Sequence, residues 1–125
     1  MVDVEPAARP VVLVVEDEWL LRFHAVEMIE EAGFVALEAA NADEAVAILE
    51  ARDDVRILFT DIDMPGSMDG LKLARAVRDR WPPVQIIVTS GQRAASADDM
   101  PEGGRFFGKP YDVNEVTRVM HQLTS

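Results

Sequence analysis

Four short stretches of the chain carry side chains suited to metal or phosphoryl chemistry. They are Glu16-Asp17-Glu18, Asp61 with Asp63 two residues on, Thr89-Ser90, and Lys109-Pro110. Carboxylates brought close together repel, so one must take a proton or a cation must neutralise them. Hard divalent cations prefer oxygen, and Mg²⁺ is usually held by one or two carboxylates, waters and phosphate oxygens. A lysine ammonium binds phosphate as a point charge, and a threonine hydroxyl suits a further phosphoryl oxygen. An aspartate can itself attack phosphorus and carry the group as an aspartyl phosphate. Together these are the parts for metal-assisted phosphoryl transfer onto a carboxylate, a reaction governed by positioning and charge neutralisation.

The four stretches are far apart in sequence, so a fold must converge them. Val11–Val15 is an unbroken apolar run, which reads as a strand buried on both faces. Leu21, Ala25, Met28, Ile29 and Ala32 recur at helical spacing, with Gly33 placed to end the helix. Phe34–Glu38 reads as a weaker strand. Asn41 and Glu44 form a capping-box pattern before the apolar face of Ala42, Ala45, Val46 and Leu49. Val55–Thr60 is a third strand, ending at Asp61. A turn-rich stretch leads to a helix along Gly70, Leu73, Ala74, Val77 and Trp81, stopped by Pro82-Pro83. Val84–Thr89 and Arg105–Gly108 complete the strands. Asp112 and Glu115 precede a last helix along Val113, Val116, Met120 and Leu123. Residues 92–104 carry small residues, a proline and two glycines, and are expected to form one short or irregular helix. Trp19 and Trp81 are expected to pack.

Strands alternating with helices predict right-handed crossovers and a doubly wound, five-stranded parallel sheet with helices on both faces, an α/β fold. Ligands of such sheets bind outside the carboxyl ends of the strands. The acid pair, Asp61, Thr89-Ser90 and Lys109 all fall at those ends, whereas His24 and His121 fall on helices away from the rim.

At 125 residues the chain is the size of one domain. Residues 1–9 read as a disordered tail and 10–125 as the domain. There is no cysteine, which excludes disulfides, thiolate catalysis and cysteine-held metals. The net charge of −11 repels nucleic acid and anionic lipid. The longest clean apolar run is far below the ~20 residues of a membrane span, and the acidic N-terminus lacks the order of a signal peptide. A cytoplasmic setting is expected, with neither nucleic acid nor membrane as partner.

Val14-Val-Glu-Asp-Glu18, Phe59-Thr-Asp-Ile-Asp-Met-Pro-Gly-Ser-Met-Asp-Gly70, Ile87-Val-Thr-Ser-Gly91 and Phe107-Gly-Lys-Pro-Tyr111 resemble the receiver domain of two-component response regulators over about residues 10–124. The resemblance implies the flavodoxin-like strand order 2-1-3-4-5. It implies Asp61 as phosphoacceptor, with Lys109 and Thr89 contacting the phosphoryl group. It implies a Mg²⁺ site, with Mn²⁺ or Ca²⁺ able to substitute, formed by Glu16, Asp17, Asp61 and the backbone carbonyl of Asp63. Lys109-Pro110 matches the family's cis peptide, and Phe106 the aromatic switch that responds to Thr89, with Ser90 beside it. The donor would be a sensor histidine kinase or a histidine phosphotransfer protein. With no DNA-binding helix pair after the last helix, a stand-alone switch is expected, signalling through an unknown protein target as a monomer or weak dimer. The family's fourth helix is where the chain departs, in residues 92–104.

Other readings compete. Asp61-Ile-Asp63 matches the D-x-D of haloacid-dehalogenase-type phosphatases, although that motif follows a first strand and this one a third. Asp98-Asp99 imitates the later acid pair of those enzymes. A flavin module is disfavoured by the acidic loop after strand one. A receiver that binds partners without phosphate is disfavoured by the full set of site residues.

Overall fold

A computed structural model describes residues 9–64, 69–91 and 100–125. Five parallel strands, β1 (Val11–Val15), β2 (Val35–Ala39), β3 (Val55–Asp61), β4 (Gln85–Ser90) and β5 (Arg105–Gly108), lie in the order β2-β1-β3-β4-β5. Four helices lie among the described residues: α1 (Trp19–Glu31), α2 (Ala42–Ala51), α3 (Gly70–Arg80) and α4 (Val113–Thr124). The sheet is the doubly wound fold that the alternation predicts.

The pleat divides the core in two. Val11, Leu13, Val15, Leu58, Ile86 and Val88 face α2 and α3. Val12, Val14, Ile57, Phe59 and Ile87 face α1 and α4. All five residues of β1 are buried, as expected of a strand covered on both sides. Each such side chain contributes about 1.5–3 kcal/mol by leaving water. β2, at the sheet edge, is only partly covered.

Local signals fix the helix ends. Asn41 Oδ1 accepts from the N–H of Glu44 at 2.9 Å, while Glu44 Oε1 accepts from the N–H of Ala40 at 2.8 Å, one residue further back than in a standard capping box. Asp112 Oδ1 accepts from Asn114 and Glu115 at the start of α4. At the end of α1, Gly33 has φ 98°, with Phe34 N–H donating to the Ile29 carbonyl and Gly33 N–H to that of Glu30. This pair of bonds closes the helix in a Schellman motif.

Several expectations are corrected. Trp19 does not pack; it opens α1 and is 68% exposed. Leu21 and Val113, in the first turns of α1 and α4, are also partly exposed. Trp81 does pack, half-buried against the α2/α3 side of the core with the Arg80 guanidinium 4.3 Å from its ring. The second strand starts at Val35 rather than Phe34, which is buried just after the helix cap. β4 runs one residue later than expected. Of the segment 92–104, residues 100–104 form a turn, closed by Gly104 N–H donating to the Pro101 carbonyl. Residues 92–99, with Asp98 and Asp99, lie outside the described residues, as do residues 1–8 of the expected tail.

One glycine decides how closely α3 approaches the end of β3. A Cβ at Gly70 would overlap the backbone carbonyl oxygen of Asp61, and Gly70 N–H donates to the Ile62 carbonyl at 3.0 Å. Gly70→Ala is therefore expected to destabilise the protein by about 3 kcal/mol through forced displacement. That outweighs the gain of at most about 1 kcal/mol in helix propensity. Urea denaturation checks it, and an unchanged midpoint would show that the backbone there yields freely.

Candidate functional site

The strand register sets the candidate residues level. Val15 pairs with Thr60, Asp61 with Thr89, Thr89 with Phe107 and Ser90 with Gly108. The ladder continues past the strand ends. Glu16 N–H donates to the Ala39 carbonyl, Ile62 N–H to Thr89 and Lys109 N–H to Ser90, at 3.1, 2.8 and 2.8 Å. Glu16, Asp61 and Lys109 thus leave backbone that is already tied to its neighbours.

Glu16, Asp17 and Asp61 each present a carboxylate oxygen, and these oxygens lie within 4.8 Å of one another. Glu16 and Asp61 are buried and Asp17 is exposed. Lys109 Nζ lies 3.1 Å from Glu16 Oε1 and 3.4 Å from Asp61 Oδ1. The Lys109-Pro110 peptide is cis, as the motif implies. Thr89 is buried and shares with Asp61 and Lys109 the wall of a cleft of about 410 Å³.

Burial pushes the Asp61 carboxyl above its usual range, against the opposing pull of the Lys109 ammonium. Burial likewise raises Glu16, offset in part by the Glu18 N–H that donates to its Oε2 at 3.1 Å, and by Lys109. Burial alone would lower the Lys109 ammonium, but Asp61 and Glu16 outweigh it, so its pKa rises and it stays charged. Among the described residues, Lys109 thus pairs with two of the three acids. Asp61 Oδ1 is buried and, among the described residues, has no hydrogen bond of good geometry; Lys109, at 3.4 Å, meets it as a long ion pair. A buried carboxylate oxygen that lacks a well-formed hydrogen bond, in a set of donors that are all oxygen, fits a hard divalent cation.

Asp63 does not bring its side chain to the acids. Its Oδ2 accepts from Ser90 Oγ at 2.9 Å, which joins the loop after β3 to the end of β4. Phe106 is half-buried against the α2/α3 side of the core. His24, expected away from the rim, lines the cleft together with Leu21 and Tyr111. Tyr111 meets Phe59 edge-on at 5.9 Å between ring centroids, and burial raises its hydroxyl pKa. His121 stacks on Phe34, centroids 4.8 Å apart, away from the cleft.

Sequence reasoning missed Arg22. Its Nη1 donates to the Glu16 carbonyl at 2.8 Å and its Nε to Glu38 Oε1 at 3.1 Å. A signal was present, since a cation in the first turn of a helix opposes the helix dipole and calls for a specific partner.

Fold and site together define a doubly wound α/β domain whose carboxyl edge gathers acids around a lysine. The sequence model of the response regulator receiver domain matches residues 12–119, and the chain belongs to that family. It is 32% identical over 116 residues to the sensor kinase CckA of Brucella abortus (strain 2308), an alignment that spans 90% of this chain and 12% of the kinase. It is 29% identical over 115 residues to the response regulator receiver protein CpdR of the same organism, spanning 90% of this chain and 94% of CpdR. The crystal structure of a response regulator receiver protein from Pseudomonas putida superposes with a TM-score of 0.82 at 30% identity, covering 94% of this chain and 99% of that one. No helix among the described residues is long and apolar enough to cross a membrane. Nothing here favours the phosphatase reading, since the D-x-D follows β3 and its second carboxylate is engaged by Ser90.

The raised acids give a pH dependence of known sign. A carboxyl whose folded pKa lies above its unfolded value binds protons more tightly in the native state. Its stabilising contribution is full below the unfolded value, near 3.8 for Asp61 and 4.5 for Glu16, and is lost as pH rises through the raised folded values. At neutral pH both acids therefore oppose folding when no cation is bound. Asp61→Asn should raise the cation-free melting temperature at pH 7 by about 3–5 °C, equivalent to ~1 kcal/mol. The gain should shrink towards pH 4. Calorimetry in the presence of a chelator checks both, and a lower melting temperature for the variant at pH 7 would contradict the account.

Proposed function

We propose that this receiver takes a phosphoryl group onto Asp61 from the histidine of a sensor kinase or phosphotransfer protein, with Mg²⁺ held by Glu16, Asp17, Asp61 and the Asp63 backbone carbonyl. The observation that carries the reading is the convergence of three carboxylates within 4.8 Å, with Lys109 between two of them. An Asp61 oxygen attacks phosphorus as the donor's phosphorus–nitrogen bond breaks, and the imidazole leaves with a proton. When bound, the cation offsets the acids' mutual repulsion and screens the incoming phosphoryl oxygens; Mn²⁺ or Ca²⁺ fits the same donors less selectively.

Lys109 is drawn away from the acids towards the phosphoryl group once Asp61 carries it. Thr89, on the adjacent strand, gives its hydroxyl to a phosphoryl oxygen. Because Thr89 and Ser90 belong to the strand beside Phe106, this movement is transmitted to the aromatic ring, and the altered face is read by another protein in the cytoplasm. Water then returns the aspartate to its free state, so the chain is a timed switch rather than a turnover enzyme.

Incubation with Mg²⁺ and acetyl phosphate, followed by intact mass measurement, tests the assignment. The wild type should gain a single base-labile phosphoryl group. Asp61→Ala and wild type with excess chelator should gain none. Equal labelling of wild type and Asp61→Ala would assign the acceptor elsewhere.

A further inference from the structure

The turn that carries the acid pair runs from the end of β1 into α1 and is held by several contacts. Glu16 N–H is tied to β2 through Ala39. Glu16 Oε2 folds back onto the N–H of Glu18. Glu16 Oε1 meets Lys109 Nζ at 3.1 Å, and the Glu16 carbonyl belongs to the peptide joining Glu16 to Asp17. Its orientation decides whether the two side chains can converge on Asp61. Arg22 reaches back from the first turn of α1 and donates Nη1 to this carbonyl at 2.8 Å. Its Nε is anchored by Glu38 Oε1 at 3.1 Å, near the end of β2. The Arg22 side chain is 21% exposed and that of Glu38 53%, so the inner bond is shielded and the outer one faces water.

We propose that Arg22 is a positioning residue for the divalent-cation site: anchored by Glu38, its guanidinium fixes the peptide between Glu16 and Asp17 so that their carboxylates meet that of Asp61. The inference rests on the receiver reading of those acids. Arginine suits the task because its planar fork donates along two directions at once, whereas lysine concentrates its charge at one point. Groups that orient metal ligands without touching the metal typically govern affinity by 10–100-fold.

The sign of the effect separates positioning from charge. Arg22 is a cation beside a site for cations. If it acted by its charge alone, removing it would tighten Mg²⁺ binding. If it acts by orienting the peptide, removing it weakens binding.

The test is Mg²⁺ titration of the folded, unphosphorylated protein, followed by amide chemical shifts at moderate salt. Arg22→Ala should raise the Mg²⁺ dissociation constant about tenfold. Arg22→Lys should restore part of the loss. Glu38→Gln should give a smaller loss, and the double variant Arg22→Ala/Glu38→Gln should be no worse than Arg22→Ala alone, because Glu38 acts only through Arg22. Unchanged or tighter Mg²⁺ binding by Arg22→Ala would overturn the proposal, whatever its melting temperature. Asp17→Asn is the control for the underlying site. If it too leaves Mg²⁺ binding unchanged, the receiver reading of the acids fails; if Asp17→Asn weakens binding and Arg22→Ala does not, only the role of Arg22 fails.

Discussion

Negative charge packed at one sheet edge is the constraint around which the domain is organised. Glu16, Asp17 and Asp61 crowd together with a single lysine to balance them. Unbalanced charge in a partly buried site opposes folding, and natural sites of this kind retain such strain because the function needs it. The stability must come from elsewhere in the molecule.

It comes from the sheet. The central strands are covered on both faces, and the alternating side chains of β1 and β3 feed two separate apolar clusters. Backbone hydrogen bonds persist beyond the last strand residues, so Glu16 and Asp61 emerge from tied peptides rather than from free loops. Gly70 lets α3 come up against the end of β3 without a side chain in between. Ser90 serves the same end from β4 by holding the carboxylate of Asp63. Packing, ladder and loop contacts thus resist the repulsion that the acids generate.

Much of this was legible in the sequence. The unbroken run Val11–Val15, the cap residues Asn41 and Asp112, and the glycine after α1 carry short-range information, and each structure they imply is present. The convergence of Glu16, Asp17, Asp61 and Lys109 followed from a general rule about strand ends in parallel sheets. What escaped depends on direction in space. Trp19 and Leu21 have the right type for a core but sit exposed in the first turn of α1. His24 shares its helix with buried residues and still reaches the cleft. Arg22 could be read as an ordinary surface cation until its two acceptors were located. Periodicity says which face of a helix is apolar, but not where the helix stops covering its neighbour.

The order of the strands along the chain has one more consequence. The acids lie near the start, Asp61 near the middle, and the lysine that steadies them after β5. Synthesis from the ribosome therefore exposes the carboxylates long before their counter-charge exists. A nascent chain halted before Lys109 carries the crowded acids without the cation that balances them, so an incomplete product meets their repulsion unrelieved.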